Sequence, residues 1–138
     1  MASTVVVDAS VVVKWALNEP GDEAALNLLA EYGARIVDLI APPLLLAEAA
    51  SALSKRFRGK ELNRRQAVEA FRWIEERRPA LIDVSIQEAL ALSLAHQLSL
   101  WDSVYLALAI QHRADLATAD RRFFRSMRAH YPFVLLVA

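Results

Sequence analysis

Short apolar runs that scarcely alternate with polar residues constrain this fold more than any other feature. Thr4-Val5-Val6-Val7 is β-branched and ends abruptly at Asp8, which reads as a strand buried on both faces. Further strands are expected at Ile36 to Ala41 (interrupted by Asp38), Leu81 to Val84, Asp115 to Ala119 and Phe133 to Val137. Helical segments separate them. One runs from Ser10 to Leu17 and is stopped by the turn cluster Asn18-Glu19-Pro20-Gly21. Asp22 is placed to cap a second, which continues to about Tyr32 and stops at Gly33. Pro42-Pro43 opens a third, closed by Gly59. Asn63 with Gln66 forms a capping box for a fourth, preceded by Leu62 and striped by Ala67, Val68, Phe71 and Ile74 until Pro79. Ser85 with Glu88 opens a fifth, with Ile86, Ala89, Leu90, Ser93 and Leu94 on one face. Asp102 is expected to cap a central helix, apolar on nearly all sides from Val104 to Ile110, and Asp120 a short basic one. Strands alternating with helices predict an α/β fold: a single-domain three-layer α/β/α sandwich over residues 1–138, with a central, mostly parallel five-stranded sheet.

Four carboxylates stand out against this framework. Asp8 ends the first strand and Asp120 follows Leu116-Ala117-Thr118-Ala119. Asp102 opens the most apolar helix, and Glu48 interrupts Leu44-Leu45-Leu46-Ala47 and Ala49-Ala50. The carboxyl ends of the strands in an open parallel sheet converge on one crevice. Acids gathered there repel one another unless a cation sits between them. A hard cation held by carboxylate oxygens is the mark of Mg²⁺ or Mn²⁺ chemistry on phosphates.

Each acid also has a plainer reading. Asp8, Asp102 and Asp120 are placed to cap helices, and a carboxylate has two oxygens, so capping and metal binding are compatible. Glu48 has no such excuse: its helical neighbours are Leu44, Leu45, Ser51 and Ala52, and an unpaired carboxylate on an apolar face is costly. Ser10 and Thr118 lie two residues from Asp8 and Asp120 and carry hydroxyls able to orient a carboxylate or a metal-bound water. His96, His112 and His130 show no ligand spacing, and Trp15, Trp73 and Trp101 read as packing residues.

Composition bears on partners. Hydrophobic residues make up 56% of the chain, an excess over ordinary soluble domains that predicts burial against another chain, hence a homodimer. Formal net charge is zero, with 16 basic and 16 acidic residues. Neutralising four of the acids with metal would leave a basic surplus. Arginine outnumbers lysine thirteen to three, and its planar fork suits phosphate. Arg121, Arg122 and Arg125 after Asp120, and Lys14 after Asp8, are therefore candidate RNA contacts. The absence of cysteine excludes disulfides, thiolate catalysis and zinc–thiolate sites. No apolar run approaches the ~20 residues needed to span a bilayer, and the first strand begins almost at once, so a cytoplasmic protein without a membrane partner is expected.

Val5-Val6-Val7-Asp8-Ala9-Ser10, Pro43 to Glu48, Trp101 to Ala109 and Thr118-Ala119-Asp120-Arg121-Arg122-Phe123 together resemble the PIN domain, in particular the VapC-type toxins of toxin–antitoxin pairs. The resemblance spans the whole chain in order. Asp102-x-x-Tyr105-x-Ala107-x-Ala109 followed by Thr118-x-Asp120 is its specific part; Asp8-x-Ser10 is weak alone. It implies an endoribonuclease whose acidic tetrad, here Asp8, Glu48, Asp102 and Asp120, binds Mg²⁺ or Mn²⁺. Thr118 matches the supporting hydroxyl and Ser10 a frequent polar position. A dimer and a small cognate antitoxin are also implied. The expected reaction is hydrolysis of an RNA phosphodiester by metal-activated water, with Asp8 and Asp102 as direct ligands and Glu48 and Asp120 acting partly through water. Single-stranded loops are the expected substrate, and the products should carry 5′-phosphate and 3′-hydroxyl ends. The alternatives are a PIN-like RNA-binding module without activity, or a receiver-like signalling domain. The latter needs an acceptor Asp on a central strand, for which Asp83 is the only candidate, and a later lysine, and none follows Lys60.

Overall fold

The computed structural model describes residues 2–138. In chain order they form β1 (Ser3–Val7), α1 (Ala9–Leu17), α2 (Glu23–Gly33), β2 (Val37–Ala41), α3 (Leu44–Arg58), α4 (Arg64–Arg77), β3 (Ala80–Leu81), α5 (Ile86–His96), α6 (Leu100–His112), β4 (Asp115–Thr118), α7 (Arg121–Met127) and β5 (Val134–Leu136). The sheet has the order β3-β2-β1-β4-β5, and every pairing is parallel. Right-handed crossovers carry α1 to α4 over one face and the later helices over the other. The packing agrees, with α1, α3 and α4 in mutual contact and α5 lying on α6.

Chain direction across the sheet reverses between β1 and β4. β1 is paired with both β2 and β4, with Val6 and Val7 fully enclosed. Its register against β4 (Val5 with Asp115, Val6 with Leu116, Val7 with Ala117) brings Asp8 level with the end of β4, and the Asp8 amide donates to the Ala117 carbonyl at 3.3 Å. Leu45, Ile74, Leu106, Leu108 and Leu116 fill the space around these strands. Trp15 fastens α1 to α2 by donating its Nε1–H to the Ala25 carbonyl at 2.7 Å. α4 opens with the full capping box of Asn63 and Gln66.

Several expectations are corrected. Asp22 does not cap α2 through its side chain; its carboxylate is buried and takes the Lys14 ammonium at 2.8 Å and the Glu19 amide at 3.0 Å. Asp102 is not the cap of α6. Ser99 holds that position and accepts the Asp102 amide, so the helix begins earlier and Asp102 lies in its first turn. β3 is a two-residue edge strand after Pro79, extended by one bond from the Ile82 amide to the Ala41 carbonyl, and Asp83 lies past its end on the surface. Ser85 caps α5 through the Glu88 amide, but α5 buries Ala89 rather than the stripe of Ile86, Leu90 and Leu94. α5 is apolar on more than one face, so its periodicity did not select a side. Small Ala89 lets α5 approach Val104 and Ala107 of α6 closely. Val68 of α4 is also exposed.

Burial predicts where truncation is felt. Leu116→Ala should lower unfolding free energy by about 2–5 kcal/mol, because it leaves a cavity in the sheet's centre. Leu94→Ala, at 73% exposure, should change it by less than about 0.5 kcal/mol at concentrations too low for self-association. Urea denaturation of both variants tests the contrast, and a large loss in Leu94→Ala would mean that its face is covered within a single chain.

Candidate active site

Asp8 is the first residue past β1 and the N-cap of α1. Its Oδ1 accepts the Ser10 amide at 3.0 Å and the Ser10 hydroxyl, and its Oδ2 accepts the Thr118 hydroxyl at 2.5 Å. The two hydroxyls also receive bonds from the end of β4. The Ala119 amide donates to Ser10 Oγ at 2.9 Å, and the Asp120 amide to Thr118 Oγ1 at 3.0 Å. Ser10 and Thr118 thus bolt the ends of β1 and β4 together around one carboxylate. Asp120 begins the next helix, its Oδ1 accepting the Arg122 and Phe123 amides at 3.0 and 3.1 Å. Capping engages one oxygen and leaves Oδ2 for other partners.

The other two acids come from helices. Asp102 occupies the first turn of α6 and Glu48 the middle of α3, both half-buried. Burial raises the Asp8 carboxyl to about 6, against the lowering effect of its hydroxyl and amide donors, with the Asp102 charge adding to the rise. Part of the Asp8 residue still reaches solvent, but its surroundings are densely packed. Glu48 is raised by burial, opposed by Tyr105, and raised further by the Asp102 charge. Asp102 is raised by burial, opposed by the Ser99 hydroxyl, and raised further by Asp120. Each of the other three acids is therefore within electrostatic reach of Asp102.

No cation of the protein answers this charge. The ion pairs among the described residues join Lys14 to Asp22, Arg56 to Glu19 and Glu61, Arg65 to Glu69 and Arg77 to Glu76. None includes Asp8, Glu48, Asp102 or Asp120. Beside Glu48 lies the buried Tyr105 hydroxyl. Burial first, then the Glu48 charge and the contact with its carboxylate, hold it far above the usual phenol range, although that contact falls short of full hydrogen-bond geometry. Orphaned buried donors of this kind mark places where a water or ion completes the site.

The donor set suits a hard divalent cation: all oxygen, net negative and without a competing ammonium. Among the described residues no three acids or histidines are gathered closely enough to close on one ion directly. A mostly apolar groove of about 460 Å³ lies elsewhere, between α3 and α4, lined by Leu53, Phe57, Ala67, Val68 and Phe71, and it holds none of the four acids.

The candidate RNA contacts divide. Arg121, Arg122 and Arg125 are exposed on α7 beside Asp120 and make no ion pair among the described residues. Lys14 is committed to Asp22 at 2.8 Å, which makes it a structural cation rather than a free phosphate ligand. Sequence reasoning did not single out Ser99, and it named Tyr105 only as part of the family spacing, without a role. Ser99-x-x-Asp102 is a capping-box spacing that would have revealed the first; nothing in the sequence marks the Tyr105 hydroxyl as orphaned.

A family model for the PIN domain matches residues 5–128. Comparison with curated proteins gives no significant match. Among solved structures, the fold is similar to that of PAE2754 from Pyrobaculum aerophilum, with a TM-score of 0.68 and 21% identity, over 91% of this chain and 87% of that one. A toxin–antitoxin complex from Klebsiella pneumoniae gives 0.63 and 20% identity over 97% and 98% of the two chains. The Mycobacterium tuberculosis toxin VapC20, described as cleaving the sarcin–ricin loop, gives 0.59 and 18% over 88% and 94%. At these identities the structural likeness establishes the fold.

The raised Asp8 carboxyl makes stability depend on pH. Asp8 titrates at 3.8 in the absence of structure and at about 6 in the fold, so the folded state binds the proton more tightly. Its contribution favours folding fully below pH 3.8 and is lost as pH rises through about 6. The gap of about two units corresponds to roughly 3 kcal/mol at most. Metal-free Asp8→Asn should therefore lose less stability than the wild type between about pH 4 and pH 7. Denaturant titrations across that range measure it, and parallel curves for the two proteins would show that Asp8 carries no such penalty.

Proposed function

The chain belongs to the PIN domain family, and from that membership and the site's charge we propose that it is a divalent-metal-dependent endoribonuclease, the toxin of a toxin–antitoxin pair. The observation that carries the reading is that Asp8, Glu48 and Asp120 each lie within electrostatic reach of Asp102, while none of the four forms an ion pair among the described residues. Ligands in open parallel sheets bind in the crevice at the carboxyl ends of the strands. The similarity to a toxin–antitoxin complex and to a loop-cleaving toxin supports the same activity here. The proposed substrate is single-stranded RNA in loops, where bases are exposed.

Bound Mg²⁺ or Mn²⁺ would supply an activated water and screen the charge growing on the phosphate oxygens. Asp8 and Asp102 are the proposed direct ligands, with Glu48 and Asp120 acting partly through water. Ser10 and Thr118 fix both Asp8 oxygens in place, so the carboxylate needs no reorganisation when the substrate arrives. The raised proton affinity of Glu48 and Asp102 suits either acid to take a proton from the attacking water. The histidines are not placed for a 2′-hydroxyl route. His96 is bound to Tyr131 at 2.7 Å, His130 packs on His96, and His112 closes the far end of α6. In the proposed step water forms the new P–O bond, the P–O3′ bond breaks and the 3′-oxygen leaves with a proton, which gives 5′-phosphate and 3′-hydroxyl ends.

The exposed stripe of Ile86, Leu90 and Leu94 and the α3–α4 groove are apolar surfaces on which a second copy and a small antitoxin would bury the chain's excess. No helix among the described residues is long and apolar enough to cross a membrane, in keeping with the proposed cytoplasmic site of action.

Four outcomes follow from this reading. Asp8→Asn or Asp102→Asn should reduce RNA cleavage at least ~10²-fold, the scale of losing one strong electrostatic contributor. Added Mg²⁺ or Mn²⁺ should raise the wild-type melting temperature, and less so in Asp102→Asn. Full activity in excess chelator, or undiminished cleavage by Asp8→Asn, contradicts the mechanism. Replacing Arg121, Arg122 and Arg125 with Gln, one at a time, should weaken RNA binding alike for different sequences and flatten its salt dependence; unchanged affinity and slope in all three would make α7 a solvated surface. Sedimentation at micromolar concentration should give a dimer mass, and a monomer throughout would leave the apolar stripe to the antitoxin.

A further inference from the structure

The three tryptophans have different surroundings. Trp15 is buried, with its indole N–H bound to the Ala25 carbonyl. Trp73 is half-buried beneath the Arg77 guanidinium, 4.7 Å from the ring. Trp101, expected from the sequence to pack, is instead 55% exposed. Among the described residues no aromatic ring, cation or hydrogen-bond acceptor engages it. An indole left in water carries a large apolar face without burying it.

Its position is specific. Trp101 immediately precedes Asp102 in the first turn of α6. That turn is held rigidly by Ser99, whose hydroxyl accepts the Asp102 amide at 3.1 Å and whose carbonyl accepts the Ser103 amide and hydroxyl at 3.1 and 2.9 Å. Beyond the acids, Asp120 opens α7 with exposed Arg121, Arg122 and Arg125. Along the chain, one exposed indole thus adjoins Asp102 and exposed guanidinium groups adjoin Asp120. A single nucleic-acid strand matches both: its phosphates suit arginine forks, and its bases offer flat faces to an aromatic ring.

Resting on the nuclease reading above, we infer that the Trp101 indole is a stacking platform for one unpaired base of the RNA strand beside the Asp102 carboxylate. Stacking tolerates any base, so this subsite fixes where the strand lies and selects single-stranded over paired RNA. It adds little discrimination between bases. Trp101 is a positioning residue, because it holds the strand and does not touch the scissile phosphate.

The test compares wild type, Trp101→Ala and Trp101→Phe as full chains, binding a short single-stranded RNA and the same strand with abasic riboses. Base–aromatic stacking is worth about 1–3 kcal/mol, so Trp101→Ala should bind the RNA about 5- to 150-fold more weakly. Trp101→Phe should recover most of that loss. On the abasic strand the three proteins should bind alike. In cleavage, Trp101→Ala should raise KM and leave kcat near the wild-type value. Equal affinity of wild type and Trp101→Ala for the RNA overturns the inference, as does an equal loss on both strands. A loss that tracks a fall from dimer to monomer mass also overturns it and assigns Trp101 to contact with a second copy. If the wild type neither binds nor cleaves RNA, the nuclease reading fails and the subsite with it. Wild-type cleavage together with an indifferent Trp101→Ala removes the subsite alone.

Discussion

The parallel register of β1 on β4 is the constraint on which the site depends. It sets Val7 opposite Ala117 and thereby delivers Asp8, Thr118 and Asp120 to the same end of the sheet. The hydroxyls of Ser10 and Thr118 then close a ring of bonds that needs both strand ends at once. A slip of one residue would turn these side chains to opposite faces and bury polar groups in the core. The β-branched, enclosed residues of β1 oppose such a slip, because Val6 and Val7 have no solvent face to accept. The apolar core and the acidic site are in this sense specified by the same pairing.

Two buried acids show how differently the fold treats charge. Asp22 is only 5% exposed, and burial opposes its ionisation most strongly. The Lys14 ammonium, the Glu19 amide and Arg56 together outweigh that effect and hold its carboxyl below the usual range. Asp8 is served by hydroxyls and amides alone, and burial wins, lifting it to about 6. Hydroxyls orient a carboxylate without neutralising it. Among the described residues, a cation thus pairs with the structural acid Asp22, and none pairs with Asp8. Active sites commonly retain such a cost in stability because function requires it.

Much of this was legible in the sequence. β-branched runs that scarcely alternate gave the strands, Asn63 with Gln66 gave a helix start, and Glu48 betrayed itself by lacking a basic neighbour at helical spacing. The failures have physical causes. α5 is apolar on more than one side, so no period could tell that Ala89 faces inward and Leu94 outward. Ser99 and Asp102 both favour helix starts, and only the fold decides that the serine caps while the acid lies in the first turn. Lys14 and Asp22 are eight residues apart and meet because α1 and α2 pack together. Whether a tryptophan is covered depends on which helix faces which, and for Trp101 nothing local reveals it.

On the proposed reading, side chains bonded into the fold would carry the chemistry and side chains left exposed would carry recognition. Asp8, Thr118 and Asp120 are tied into strand ends and cap bonds, so changing them disturbs the fold's central pairing. Trp101 and the arginines of α7 stand on exposed surfaces of helix starts whose caps are made by other residues, Ser99 and Asp120. Substituting them leaves the caps intact and the sheet untouched. A scaffold built this way can hold one hydrolytic centre constant while its rims are altered to suit different strands. On the proposed nuclease reading, the acids would determine that a phosphodiester is cut, and the surfaces around them would determine whose.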